Sequence, residues 1–173
     1  MANSNTLFIS TSFLKSNTVI NNNVDDELLE PWIIVAQNKY IERSLGTALF
    51  NDVISNIQAG TISGITKVLL DDYIQPCLQH FVVYESLPFL SMKLTNKSVT
   101  RKDSDNSTAI DLKDMQYLRD NVLNTAQYMQ KRLVEYLQTE VDNGNFDLYS
   151  NPGDDASTIN PSTDVWFGGL YLK

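Results

Sequence analysis

One cysteine and one histidine in 173 residues leave little side-chain chemistry to place. Cys77 alone cannot close an intramolecular disulfide, so the chain does not depend on an oxidising compartment. Cys77 and His80 together fall short of the ligand set of a zinc site. A di-iron bundle, which takes a Glu-x-x-His motif from each of two helices, needs a second histidine. No apolar run reaches the length of a membrane span, and no basic-then-apolar leader opens the sequence, so a soluble chain made in the cytoplasm is expected. There is no phosphate-cradling glycine loop, no Gly-x-Ser-x-Gly elbow and no calcium-loop spacing. Bases are scarce as well: 13 against 21 acids give a net charge of −8, which repels nucleic acid and anionic membranes. The expectation is a protein without enzymatic activity, cofactor, metal or membrane contact. An enzyme would need a polar pocket built from Asp72, His80 and Glu85. Cys77 and His80, three residues apart, read as a buried thiol and a packed imidazole rather than as nucleophile and base.

What the chain does have is helical periodicity. Apolar residues make up 42% and charged residues 20%, the balance of a chain that can bury a core. A first helix is predicted from about Asp25 to Leu45, with Asp25, Asp26 and Glu27 at its positive end and Gly46 as a left-handed stop. A shorter helix follows from Thr47 to Gly60. A long one runs from about Thr66 to Leu94, with kinks expected at Pro76 and Pro88, because each proline removes a donor and crowds the carbonyl four residues back. Its apolar residues cover more than one face, which makes Phe81, Val83 and Tyr84 candidates for an interface with a neighbouring subunit. The last helix, Leu112 to Val141 with Asp111 as its cap, carries a heptad-like seam from Met115 and Leu118 through Leu133 and Leu137.

Three stretches fall outside these helices. Residues 1–23 are polar with two small apolar clusters, and read as an N-terminal arm ahead of a helical domain at 24–143. Residues 95–109 form a loop too long for a minimal connection, in which Ser98-Val99-Thr100 allows a short hairpin. Lys97, Arg101 and Lys102 make it locally basic, a candidate contact for an acidic partner. Residues 144–173 read as an extended C-terminal arm. Its apolar end, with Trp166, Phe167, Leu170, Tyr171 and Leu172, is a candidate for docking, either on its own body or on another chain. The expected architecture is all-α: a four-helix, bundle-like domain with two long helices, one kinked, two shorter ones, and an arm at each end.

The run Val24-Asp25-Asp26-Glu27-Leu28-Leu29-Glu30-Pro31, then Ala36-Gln37-Asn38-Lys39-Tyr40-Ile41-Glu42-Arg43-Ser44-Leu45-Gly46 with Leu49-Phe50 beyond, resembles the N-terminal helix pair of head–tail connector proteins of tailed bacteriophages. The crAss-like phages of Bacteroides-type hosts are the nearest in pattern. Tyr84-Glu85-Ser86-Leu87-Pro88-Phe89, the loop Thr95-Asn96-Lys97-Ser98-Val99 and Gly168-Gly169 agree with this, while Ser98 stands where a glycine is expected. The resemblance implies a structural virion protein at the portal vertex. It would form a ring of about a dozen copies that joins portal protein to tail proteins and meets genomic DNA only in passage through the channel. The competing reading of the residues is a small cytoplasmic helical adaptor or regulator that binds a single protein partner.

Overall fold

The longest helix begins where its sequence says it should. In a computed structural model that describes residues 6–90, 92–94, 99–101, 111–153 and 159–162, Asp111 accepts a hydrogen bond from the Leu112 amide and opens a 31-residue helix, Leu112–Asp142. Asn143 and Gly144, the latter at φ +82°, close it. In chain order the described elements are α1 (Thr11–Asn17), α2 (residues 26–45), α3 (Thr47–Ala59), α4 (residues 64–90), strands β1 (Met92–Leu94) and β2 (Val99–Arg101), α5 (Leu112–Asp142) and the short α6 (Asp147–Ser150). The fold is all-α, with α4 at its centre between α2 and α5. Predicted to reach Leu94, α4 in fact ends at Leu90, two residues past Pro88. The chain then enters an antiparallel hairpin that pairs Met92 with Arg101 and Leu94 with Val99.

Both long N-terminal helices change pitch along their length, α4 just before a proline. Pro76 has no N–H to give the Asp72 carbonyl, and residues Leu69–Ile74 just before it form a wider π-turn, in which the Gln75 amide reaches back to the Leu70 carbonyl. The widened turn makes room for the pyrrolidine ring without ending the helix. In α2, Pro31 lies inside Asp26–Ala36 rather than in its first turn, and a second π-segment spans Gln37–Ile41.

The N-terminal stretch is part of the core rather than a detached arm. Phe8, Ile9, Leu14 and Ile20 are all buried. The Phe8 amide donates to Gln37 Oε1 (2.9 Å), its carbonyl accepts from Gln75 Nε2 (3.0 Å), and Gln37 Nε2 donates to the Thr6 carbonyl (3.0 Å). Two glutamines, one on α2 and one on α4, thus satisfy the backbone of an extended segment as a neighbouring strand would. The Phe8 ring lies 5.2 Å from that of Phe50 on α3. The expected boundary at residue 24 is therefore not a boundary of the packed body.

At the other end, residues 144–153 and 159–162 also pack on the body. Tyr149 of α6 is buried, and the chain crosses α2 and α3 where Thr47 and Ile159 exchange hydrogen bonds of 2.9 Å. Gly46 sits at φ +76°, ψ 153°, a region nearly closed to other residues, and a Cβ there would stand 2.7 Å from Pro161 Cδ. Gly46→Ala should cost about 1–3 kcal/mol and lower Tm by several degrees. A thermal melt by circular dichroism checks this.

Candidate interaction surface

The face expected to meet a neighbouring subunit is covered by the chain itself. Phe81 is 1% exposed and Val83 3%, both within the hydrophobic core. Phe81 stacks on Tyr40 of α2 at 3.8 Å with the rings nearly parallel. Tyr84 is half-buried beneath the Arg119 guanidinium of α5, 4.3 Å from its ring centre. Most of the apolar residues of α4 are covered by α2 on one side and α5 on the other, with Val68 and Phe89 left exposed. Phe81 and Val83, expected at a subunit interface, thus belong to the core of the single chain, while Tyr84 keeps part of its surface.

Polar contacts fix these layers in register. The Tyr40 hydroxyl and Lys39 Nζ both reach Glu85 Oε1 at 2.6 Å, tying α2 to α4. Burial together with the donated hydrogen bond to Glu85 raises the Tyr40 phenol well above its usual range, so it stays protonated as a donor. Across the other seam, Gln130 Nε2 of α5 donates to Ser44 Oγ (2.9 Å), which donates to the Tyr40 carbonyl. Tyr73 and Tyr136 stack at 4.0 Å at the far end.

Asp72, His80 and Glu85 do not come together as a polar pocket. Asp72 is exposed, no hydrogen bond joins the three, and Glu85 is engaged by Lys39 and Tyr40. Among the described residues no group of His, Cys, Asp and Glu is placed to hold a metal ion, and no helix is long and apolar enough to cross a membrane. Cys77 is fully buried, and burial pushes its thiol well above the usual range. His80 is half-buried, and loss of solvent lowers its pKa from 6.5. A histidine held neutral in the fold but free to charge once unfolded favours the folded state above its unfolded pKa. That advantage is lost as the pH falls from about 6.5 through the depressed folded value. Stability followed by urea melts should therefore decline across that window, and His80→Gln should flatten the decline.

Two exposed apolar areas remain among the described residues. One is the first half of α5. The seam expected there is buried only from Ala126 onward, at Ala126, Leu133, Val134 and Leu137, whereas nothing from Leu112 to Thr125 is buried. Leu112 is 59% exposed and Tyr117 72%, with Leu118 beside them. Tyr128 continues the Tyr117 face three turns on, also exposed. Sequence reasoning placed Leu118 in the seam and passed over Tyr117. α4 does reach this half of α5, where Tyr84 lies under Arg119 and Val122 and Leu123 are partly buried against the core, but Tyr117 faces away from it. The second area is a row on α2 formed by Leu28, Trp32 and Val35, joined by Phe89 of α4, whose ring stacks 4.2 Å from Trp32. Of the expected basic contact, Arg101 lies in β2, while Lys97 and Lys102 fall outside the described residues. So do Trp166, Phe167, Leu170, Tyr171 and Leu172.

These features define a helical domain with exposed apolar side chains on α2 and α5. The chain belongs to a family of unknown function, DUF6712, which matches residues 41–159. The matched region opens at the end of the α2 π-segment and closes at Ile159, the residue that bonds back to Thr47. No curated protein and no solved structure matches the chain.

Proposed function

We propose that this protein is a structural virion protein, a head–tail connector of the crAss-like phage type. In this reading copies form a closed ring that joins the capsid portal to the tail and surrounds the DNA channel. The sequence resemblance suggests the role, and the observation that carries it furthest is the bare first half of α5. Tyr117 and Tyr128, eleven residues apart and so on one face of α5, are 72% and 62% exposed, and Leu112 and Leu118 are exposed at other angles round the same helix. Exposed aromatic side chains of this kind suit a protein–protein contact, in which Tyr is among the enriched residue types. A flank that meets a different surface on the next copy gives a head-to-tail contact, which closes into a ring when the rotation permits. The net charge of −8 suits a channel through which DNA moves without sticking. The basic stretch around Lys97, Arg101 and Lys102 supplies a contact for an acidic neighbour, felt most at low salt.

The test is a double variant, Tyr117→Asp with Leu118→Asp. Both side chains lie outside the core, so the thermal melt should be unchanged while ring formation, read by mass photometry at rising concentration, is lost. Rings that persist with this variant would remove α5 from the contact.

A further inference from the structure

The row on α2 is where the chain itself points. Residues 159–162 run backwards along the end of α2. Ile159 bonds to Thr47, Pro161 packs against Gly46, and the Ser162 amide donates to the Arg43 carbonyl (2.9 Å). Ahead of Ser162 lies a groove lined by Asn38, Lys39 and Arg43 on one side and Asn160 and Pro161 on the other. Continuing in the same direction, Arg43, Lys39, Val35, Trp32 and Leu28 follow one another at steps of four, four, three and four residues, a single face of the helix. The row changes from basic and polar at Arg43 and Lys39 to apolar at Val35, Trp32 and Leu28. The sequence beyond Ser162 changes in the same order, from Thr163-Asp164 to Val165-Trp166-Phe167-Gly168-Gly169-Leu170-Tyr171-Leu172.

We propose that residues 163–172 lie extended along this face of their own chain, covering Val35, Trp32, Leu28 and the edge of Phe89. The lengths agree. An extended chain advances about 3.3 Å per residue, so Trp166 and Leu170 fall about 13 and 26 Å beyond Ser162. A helix rises about 1.5 Å per residue, so Val35 and Leu28 stand about 12 and 22 Å back from Arg43. The two rulers agree to about 1 Å at the first point and about 4 Å at the second, a little over one extended residue. Alternation with period two puts Trp166, Gly168, Leu170 and Leu172 on one side of the segment. The glycine then falls near the level of Trp32, where the bulk of an indole already stacked on Phe89 leaves least room. Asp164 enters beside Lys39 and Arg43, matching the sign of the groove. With this row closed in cis, the exposed side chains of α5 remain, among the described residues, for another molecule. The inference concerns a single chain and stands apart from whether copies form a ring.

Paired cysteines test the placement. In the full chain carrying Val35→Cys and Trp166→Cys, mild oxidation of a dilute sample should give a disulfide within one chain, identified by peptide mass mapping; the native Cys77 is buried and stays silent. A control pair, Tyr117→Cys with Trp166→Cys, should give none. A disulfide that appears only between chains, when the two single variants are mixed, would show that a second copy's segment fills the row and would overturn the proposal. No disulfide above the control would overturn it as well. Should the paired variant fail to fold, Trp166→Phe leaves Trp32 as the only indole. Acrylamide quenching of its fluorescence should then rise about twofold when the chain is truncated after Asp164, since removing the segment opens that ring to solvent. Unchanged quenching would sink the idea.

Discussion

Val83→Glu should unfold the protein. Val83 is 3% exposed and sits between Val82 and Ser86, both fully buried, in the middle of the element that every layer packs against. A carboxylate there has no basic partner among the core residues, and an uncompensated buried charge costs several kcal/mol. A domain's whole stability is about 5–15 kcal/mol, so most of the population should lose its cooperative melt by circular dichroism. The milder Val83→Ala removes two methyl groups and should cost about 2 kcal/mol, with the fold retained. Were this residue between subunits instead, Val83→Glu would melt like the parent and fail only in assembly. The pair of variants separates core from interface, because only a core position is sensitive in the isolated monomer.

Removing residues 1–23 should have an effect of similar size. The deletion takes away Phe8, Ile9, Leu14 and Ile20 and uncovers Phe50 and Leu49. Each buried side chain is worth about 1.5–3 kcal/mol, partly offset by the conformational entropy that no longer has to be lost. Gln37 and Gln75 would at the same time lose Thr6 and Phe8 as partners, and Gln37, at 3% exposed, has little water to replace them. The truncated chain should melt at least about 10 °C lower and bind a dye for exposed apolar surface. Gln37→Leu isolates the polar part. It leaves the Phe8 amide without its acceptor and should cost about 1–3 kcal/mol. An unchanged melt after the deletion would mean that the segment contributes nothing to the packed body.

The helices were readable because their signals are local. Asp111 at the start of α5, Gly60 at the end of α3 and Gly144 after α5 each act within one turn of where they stand. The π-turn before Pro76 was legible as a disturbance, though not in its form. What the sequence hid is who covers whom. Apolar residues all round α4 say that it is enveloped but not by which element, and the cover came partly from a polar-looking N-terminal stretch. That stretch is held by Gln37 and Gln75, residues 29 and 67 positions away from Phe8, and no periodicity reports such a pairing. The same gap hid the depth of the candidate interface residues. Phe81 and Val83 belong to the core, while the bare surface lies on the first half of α5, where heptad spacing pointed inward. Heptad spacing predicts a stripe but not its depth: in the first half of α5 the seam residues Met115 and Val122 are only partly buried.

Ring formation is the central claim, and electron microscopy of the purified full chain tests it most directly, imaged at rising concentration with and without added portal rings from a crAss-like phage. The connector reading predicts closed rings of uniform size, about a dozen copies each, alone at high concentration or seated on the portal. Particles that remain single or paired under every one of these conditions would contradict it.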